Sequence, residues 1–246
     1  MLTPDLWLTA TSGWKVHRLD SPLDATESEV RTALQAVARN GDHVLIFCRV
    51  DTSAVGVCHQ LLNSGFFPVD VGISLESRGR TVRHQLVHQV RHADSADRDE
   101  VVRIAESSFQ FSRFHLDPGI PNDIADRIKR QWVESYFDGT RGDALYVACL
   151  KDRPVGFLAA MTTSDQRGEI AVIDLIGVDG SSRGMGIGQS LVSYFESEWI
   201  DRCRHLRVGT QAANTSSIRF YENQEFRVCG SEYVLHAHCN NGLLVK

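Results

Sequence analysis

Long apolar runs are missing: nothing in the 246 residues approaches the roughly 20 consecutive apolar positions a membrane helix needs, so no membrane partner is expected. The stretch 44–48 is apolar only over the length of one buried strand. MLTPDLWLTATSGW has no basic start leading into an apolar stretch, so a secretory leader is not expected either. Positive charge is not in excess. Acidic residues number 31 and basic residues 26, a net charge of −5, which argues against a duplex-binding face and a nucleic-acid partner. The six cysteines (Cys48, Cys58, Cys149, Cys203, Cys229, Cys239) include no CxxC pair. A chain this long builds a core without staples, and free thiols in a cytoplasmic protein are expected.

What is present is an ordinary globular composition, 42% hydrophobic and 23% charged, which excludes disorder, collagen and coiled coil. The first third reads as a small α/β unit. Val30, Leu34, Val37 and Ala38 share one helical face, and Asn40-Gly41 stops that helix. Residues 43–50 are β-rich, and Asp51-Thr52-Ser53 opens a helix that runs to about Ser64 and stops at Gly65. Residues 66–76 alternate as a strand in which Pro68 argues for an edge or an irregular start. The polar stretch 76–80 reads as a linker, dividing the chain into units 1–80 and 81–246.

Past the linker, 82–92 alternates as a strand. Asp97 and Glu100 have capping-box spacing before a helix carrying Val101, Ile104, Ala105 and Phe109. Ile128, Trp132 and Tyr136, four apart, mark another amphipathic helix. Residues 145–150, 155–163 and 168–178 form a three-strand meander. A glycine-rich turn then leads into a helix with Leu191, Phe195 and Trp199 on one face. HLRVGTQ is the next strand, Asn214 caps a helix through Tyr221, and 226–236 closes the unit.

Chemistry concentrates in Arg183-Gly184-Met185-Gly186-Ile187-Gly188. Glycines let the backbone approach a bulky anion, several amides can point at one diphosphate, and the following helix adds its positive end. The spacing is neither the G-x-G-x-x-G dinucleotide fingerprint nor a P-loop. The competing reading is a tight strand-to-helix connection without a ligand, at a cost in stability that three glycines would leave unexplained.

R-x-x-G-x-G five residues after a strand-ending Val178 resembles the acyl-CoA diphosphate loop of the GNAT N-acetyltransferases, with Gly180 where many members carry proline. Asn214, and Tyr221 seven residues on, resemble a later motif of that family. The resemblance covers about residues 88–238. It implies an α/β (α+β) GNAT fold with a mixed, mostly antiparallel sheet, and acetyl-CoA as acyl donor to a primary amine. It implies that Ile176, Val178, the residues Arg183, Gly184, Met185, Gly186, Ile187 and Gly188, together with Gln189 and Asn214, hold the cofactor, and that Tyr221 protonates the leaving thiolate. FSRFHLDP, QW at Trp132 and VGTQAANTSSIRFY are further similar to the dTDP-fucosamine N-acetyltransferase group, which acetylates a dTDP-linked 4-amino-4,6-dideoxy sugar and carries a smaller N-terminal α/β domain; Glu225-Phe226 departs from the usual Gly-Phe. A protein, amino-acid or antibiotic amine as the acceptor, a non-catalytic acyl-CoA-binding module, and a homodimer all stay open.

HQLLNSGFFPVD resembles FYENQEFRVCG at an offset of 160 positions (226 − 66), and HVLIFCRV resembles HLRVGTQA at 162 (205 − 43). The first unit therefore reads as a truncated, GNAT-like copy without the glycine turn and with Leu61 opposite Tyr221, a non-catalytic scaffold that walls the acceptor site.

On the acceptor side the candidates are Arg113, His115 and Asp117. Arg113 suits a substrate phosphate, the alternative being a surface ion pair. His115 is a candidate base because histidine as a residue type titrates near neutrality, and Asp117, Glu169 or base action through water are also open. Tyr221 is a thiolate acid or a core residue of an amphipathic helix. No metal site is read: His84, His88 and His92 fall on a strand face, and His236 with His238 has no third distant ligand in view.

Overall fold

The computed structural model describes residues 2–20, 22, 26–38, 43–78, 87–240 and 243–245. In chain order the elements are β1 (Leu2–Pro4), α1 (Leu6–Ser12), β2 (Lys15–Leu19), α2 (Glu27–Ala38), β3 (Val44–Asp51), α3 (Val55–Asn63), β4 (Phe67–Ser77), β5 (Gln89–His92), α4 (Arg98–Ser108), α5 (Asn122–Phe137), β6 (Ala144–Leu150), β7 (Arg153–Asp165), β8 (Gly168–Val178), α6 (Ile187–Trp199), β9 (His205–Gln211), α7 (Thr215–Asn223), β10 (Arg227–Asn240) and β11 (Leu243–Val245). The sheet runs β1-β2-β3-β10-β4-β9-β8-β7-β6-β5, with β11 paired to β10. Among the described residues only β2–β3 and β8–β9 pair in parallel, so the sheet is mixed and mostly antiparallel, as expected.

Most elements fall where their patterns put them. The long meander β6–β8 alternates and buries one or both faces, and α6 lays Leu191, Val192, Phe195 and Trp199 on it. On the opposite face α4 and α5 cover Leu145, Val147 and Phe157. The capping box lies one turn earlier than its spacing suggested: Asp94 and Asp97 bracket a 3-10 turn at Ser95–Asp97, and Arg91 grips Asp97 at 2.6 Å. Glu76 and Ser77, read as the start of a linker, are the last residues of β4. The Asn40-Gly41 stop, Arg80 and His84 lie outside the described residues. No helix among the described residues is long and apolar enough to cross a membrane.

The repeat visible in sequence is realised as an exchange of strands. α3 and α7 begin 160 positions apart (215 − 55), as do α2 and α6 (187 − 27). Each half gives its last strand to the other: β4 pairs with β9, and β10 pairs with β3. The registers are images of one another. Ser74 faces Gly209, and their counterparts Val234 and Arg49 face each other; Leu75 with Val208 and Leu235 with Cys48 repeat the relation. The two donated strands meet antiparallel, with Gly72 opposite its own counterpart Glu232. The strands β3 and β9 are thus related by 160 positions rather than 162. A slip of two keeps every side chain on the same face, so the sequence pattern reads equally well at either offset.

This exchange makes β4 an interior strand despite Pro68. Pro68 sits opposite Leu235 beside a register shift, and β9 begins to pair only at Gly72, so the missing amide hydrogen interrupts no bond to β9. Glu76 on β4 then binds Arg207 of β9 (Nε 2.9 Å) and Arg167 of the β7–β8 turn (2.7 Å). The cores merge as well: Leu8, Val16, Leu45 and Phe47 pack against Phe114, Ile120, Ile124 and Ile128.

Candidate active site

The site opens where β8 and β9 part. Their parallel ladder runs from Ile170–His205 to Ile173–Val208 and stops, although β8 continues to Val178 and β9 to Gln211. The cause lies on the other edge of β8. Ala159 faces Leu175 and Ala160 faces Ile173, so Asp174 is an extra, bulged residue that turns the strand away from its neighbour. From Leu175 to Val178, β8 is paired with β7 on one side only. Backbone amides on the other side border a tunnel lined by Phe109, Lys129, Asp174, Ile176, Thr210 and Tyr221.

The tunnel joins two larger clefts. One, of about 500 Å³, follows β8 to the glycine turn and is lined by Ile176, Val178, Arg183, Gly184, Gly186, Ile187, Gly188, Gln189 and Tyr221. Gly186 is the N-cap of α6, with φ +83 and no side chain to cap the helix, and Gly184 has φ +78. The first amide hydrogens of α6 therefore meet no capping side chain among the described residues. The degenerate half resolves the same problem internally. Glu29 accepts from the amide (2.8 Å) and hydroxyl (2.8 Å) of Thr26, so the start of α2 carries its own carboxylate. Gly188 is small for a different reason: a Cβ there would lie 3.3 Å from the Phe220 ring.

Asp179 braces the turn by accepting from Ser181 (amide 3.0 Å) and from Arg103 (2.5 Å), and His88 Nε2 meets the Met185 carbonyl at 2.6 Å. Met185 itself is exposed and lines neither cleft. Two buried polar atoms lack a protein partner and border this path: Ser108 Oγ at the tunnel and Gln224 Oε1 at the cleft. A cradle of left-handed glycines, uncapped amides, a free strand edge and orphaned polar atoms fits an extended, amide-bearing molecule with a diphosphate at one end.

Tyr221 lines both the tunnel and this cleft. It is 4% exposed, set edge-on between Phe220 and Phe226, and its hydroxyl makes no hydrogen bond among the described residues. Burial raises its pKa, so it stays a proton donor at neutral pH. Asn214 lines the tunnel, where its Oδ1 caps α7 by accepting from Ser217 (3.2 Å).

The second cleft, of about 380 Å³, lies at the tunnel's other end and is walled by both halves: Arg49, Asp70 and Gly72 from the first, Arg113, Lys129 and Asp174 from the second. Arg113 lies 3.9 Å over Phe47 and 4.5 Å from Phe114, and its only hydrogen bond among the described residues goes to His236 Nε2 at 3.3 Å. No carboxylate among the described residues pairs with it. Burial lowers its pKa, yet a guanidinium stays charged.

His115 and Asp117 stand apart from both clefts. His115 is held between Ser112 Oγ (2.6 Å) and Asp126 (2.9 Å). Asp117 is buried and accepts from His236 Nδ1 (2.5 Å), His238 Nε2 (2.8 Å) and the Gly119 amide (2.8 Å). These three side chains bring ligand-type atoms within 4.8 Å of one another, but each such atom is already engaged in a hydrogen bond. Glu169 is exposed at the far end of β8. Sequence reasoning passed over Lys129, Arg141 and Asp174. The one signal for Lys129 was a charged residue within the apolar stripe of α5, between Ile128 and Trp132.

Residues 100–226, half of the chain, match the model of the acetyltransferase (GNAT) family. The chain belongs to that family. Membership makes acyl transfer from an acyl-CoA the chemistry of this GNAT domain. The chain is 27% identical over 144 residues to the Bacillus subtilis (strain 168) spore coat polysaccharide biosynthesis protein SpsD, covering 58% of this chain and 48% of that one. It therefore spans about half the length of the curated relative it matches. Among solved structures it is similar to a GCN5-related N-acetyltransferase from Kribbella flavida (TM-score 0.59, 13% identity, 90% of this chain and 80% of that one). A GCN5-related N-acetyltransferase from Sphaerobacter thermophilus superposes with a TM-score of 0.57 at 14% identity, over 87% of this chain and 66% of that one. At such identities these likenesses show the fold alone. They confirm the GNAT architecture expected from the glycine turn.

Proposed function

We propose that this GNAT protein transfers an acetyl group from acetyl-CoA to the primary amine of a nucleotide-linked amino-deoxy sugar. The observation that carries the donor half is the splay of β8 from β9 running into the uncapped start of α6. Ile176, Val178, Arg183, Gly184, Gly186, Ile187, Gly188 and Gln189 would hold the donor. Met185 contributes its backbone, and Asn214 stands where the tunnel begins. The thioester supplies the activated acetyl carbon. Amides along the free edge of β8 are suited to meet the oxyanion, and Tyr221 to hand its proton to the departing sulfur.

The acceptor half rests on the second cleft. Arg113, charged and without a carboxylate partner among the described residues, suits a phosphate of the sugar nucleotide. SpsD's name ties that relative to polysaccharide biosynthesis, which supports an activated sugar as acceptor. In this reading 81–246 is the transferase and 1–80 a non-catalytic unit that walls the acceptor cleft. The six cysteines are all unpaired, in keeping with a cytoplasmic protein.

The test is a mass-spectrometric screen with acetyl-CoA and amino sugars carried on dTDP and UDP. Gain of one acetyl group on a 4-amino-4,6-dideoxy sugar nucleotide is the expected result. Acetylation confined to peptides or free amino acids would reassign the acceptor. Tyr221→Phe should keep coenzyme A binding by calorimetry while turnover collapses, and Arg183→Glu should lose that binding.

A further inference from the structure

Two ionisable side chains line both the tunnel and the acceptor cleft, Asp174 and Lys129. Asp174 is fully engaged. Its Oδ2 accepts from Trp132 Nε1 (2.8 Å), Tyr136 Oη (2.7 Å) and Arg141 Nε (2.7 Å), and its Oδ1 from Arg141 (3.1 Å). Burial opposes its ionisation, but Arg141 together with the Trp132 and Tyr136 hydrogen bonds outweighs burial and keeps the carboxylate ionised. To accept a proton it would have to give up several of these bonds.

Lys129 is the opposite case. It is 6% exposed. Its Nζ lies 4.7 Å from the centre of the Phe109 ring and 4.5 Å from that of Trp132, and it makes no hydrogen bond or ion pair among the described residues. The two ring faces meet Nζ itself and favour its charged form, against the effect of burial, without offering a proton acceptor. A nine-tenths buried amine without a partner is expensive to keep, and the fold aims this one at the junction of the two cavities.

We propose that Lys129 is the general base of the transfer, taking a proton from the acceptor's ammonium group where the acceptor cleft meets the tunnel. The inference rests on the N-acetyltransferase reading above. One proton passes from the acceptor ammonium to the Lys129 amine. The freed amine nitrogen then bonds to the thioester carbon. When the carbon–sulfur bond breaks, Tyr221 protonates the sulfur and is reprotonated by the second proton still on the new amide nitrogen. Lys129 returns its proton to solvent, so one amide, one thiol and one released proton balance the reaction.

The surrounding groups support the assignment. Burial lowers the Lys129 pKa to about 7; Asp174 of β8 opposes the shift, while Arg113 and Arg141, flanking α5, act in the same direction as burial. Arg49, Asp70 and Glu232 face the same cleft from β3, β4 and β10. Asp70 and Glu232 can draw an ammonium group in, and Arg113 can hold the anionic remainder of the substrate.

The chain has only four lysines, Lys15, Lys129, Lys151 and Lys246. Reductive methylation with isotope-labelled formaldehyde therefore gives few NMR signals to follow in the free protein. The signal lost in Lys129→Met identifies the residue, and its titration should be centred near 7; a midpoint near 10, like an exposed lysine, would overturn the proposal. With the sugar nucleotide found in the screen, Lys129→Met should lower kcat/KM by about 10²- to 10⁴-fold and remove an acidic limb near pH 7, while coenzyme A binding is unchanged. Lys129→Arg, which keeps the charge but cannot act as a base, should be equally slow; near-normal turnover in that variant would reassign Lys129 to simple electrostatics. If the unaltered protein acetylates no amine, the transferase reading falls and takes the base with it. If it turns over and Lys129→Met leaves the pH profile intact, only the base falls.

Discussion

Asp117 accepts hydrogen bonds from two histidines at one oxygen, and one of those histidines carries the contact on to Arg113. Arg113 can only donate, so His236 Nε2 accepts and Nδ1 carries the hydrogen given to Asp117. His238 reaches the same oxygen through Nε2, and its Nδ1 lies 3.0 Å from Nε2 of His43. His236 is therefore neutral in this arrangement, and Arg113 is oriented through it. Burial holds the His236 pKa down to about 4, against the pull of Asp117. An unfolded histidine titrates near 6.5, so between those values the unfolded chain binds the extra proton and stability must rise with pH. Going from pH 7 down to 5 should remove about 2 kcal/mol, read as a fall in the urea midpoint. His236→Gln, which can donate to Asp117 and accept from Arg113 without titrating, should flatten that dependence. An unshifted midpoint in the unaltered protein would contradict the assignment. Little of this was legible beforehand: Asp117 could be named as an acidic candidate, but its histidine partners lie more than 100 positions away and no local spacing links them.

The glycine turn, by contrast, shows what a local pattern can carry at the scale of an element. Strand β8, the turn, α6 and the Tyr221 helix α7 were all legible, because each has its own periodicity and its own punctuation. The elements β1, α1 and β2 were not read: strands of 3 and 5 residues and a helix of 7 are too short to show a period. The bulge at Asp174 was equally silent, since an extra residue inside a continuous apolar strand leaves the composition unchanged. The comparison of α6 with α2 sharpens the meaning of Gly186, because its counterpart Thr26 builds a conventional cap with Glu29. Gly186→Ala meets no crowding, the nearest atom to a new Cβ being His88 Nε2 at 3.9 Å. The expected penalty is therefore conformational alone, about 1 kcal/mol for a left-handed φ, with coenzyme A affinity reduced as the turn relaxes. A urea melt and a calorimetric titration of the same variant separate the two effects. Unchanged stability together with unchanged affinity would show that the positive φ has no role in the cradle.

For the whole molecule, the strand exchange decides which pieces can exist alone. The repeat was visible in sequence, but its consequence was not, because a strand that stays with its own half and one that crosses over carry the same alternation. The crossed form makes contacts between the halves: Glu76 on β4 with Arg207 on β9, and Arg49 on β3 with Glu232 on β10 at 3.3 Å. The shared cluster of Leu8, Phe47, Phe114 and Ile128 adds an apolar seam that neither half completes. Removing residues 1–78 would strip β4 from β9 and both β3 and β4 from β10, turning interior strands into open edges. The fragment 79–246 should accordingly be insoluble, even though it contains the glycine turn, Tyr221 and Lys129. Producing 1–78 in the same cells as a separate chain should recover a soluble one-to-one complex, since every exchanged ladder can then form between chains. A soluble, monomeric 79–246 fragment that acetylates the sugar nucleotide at the full-length rate would show that the first half neither completes the fold nor walls the acceptor cleft.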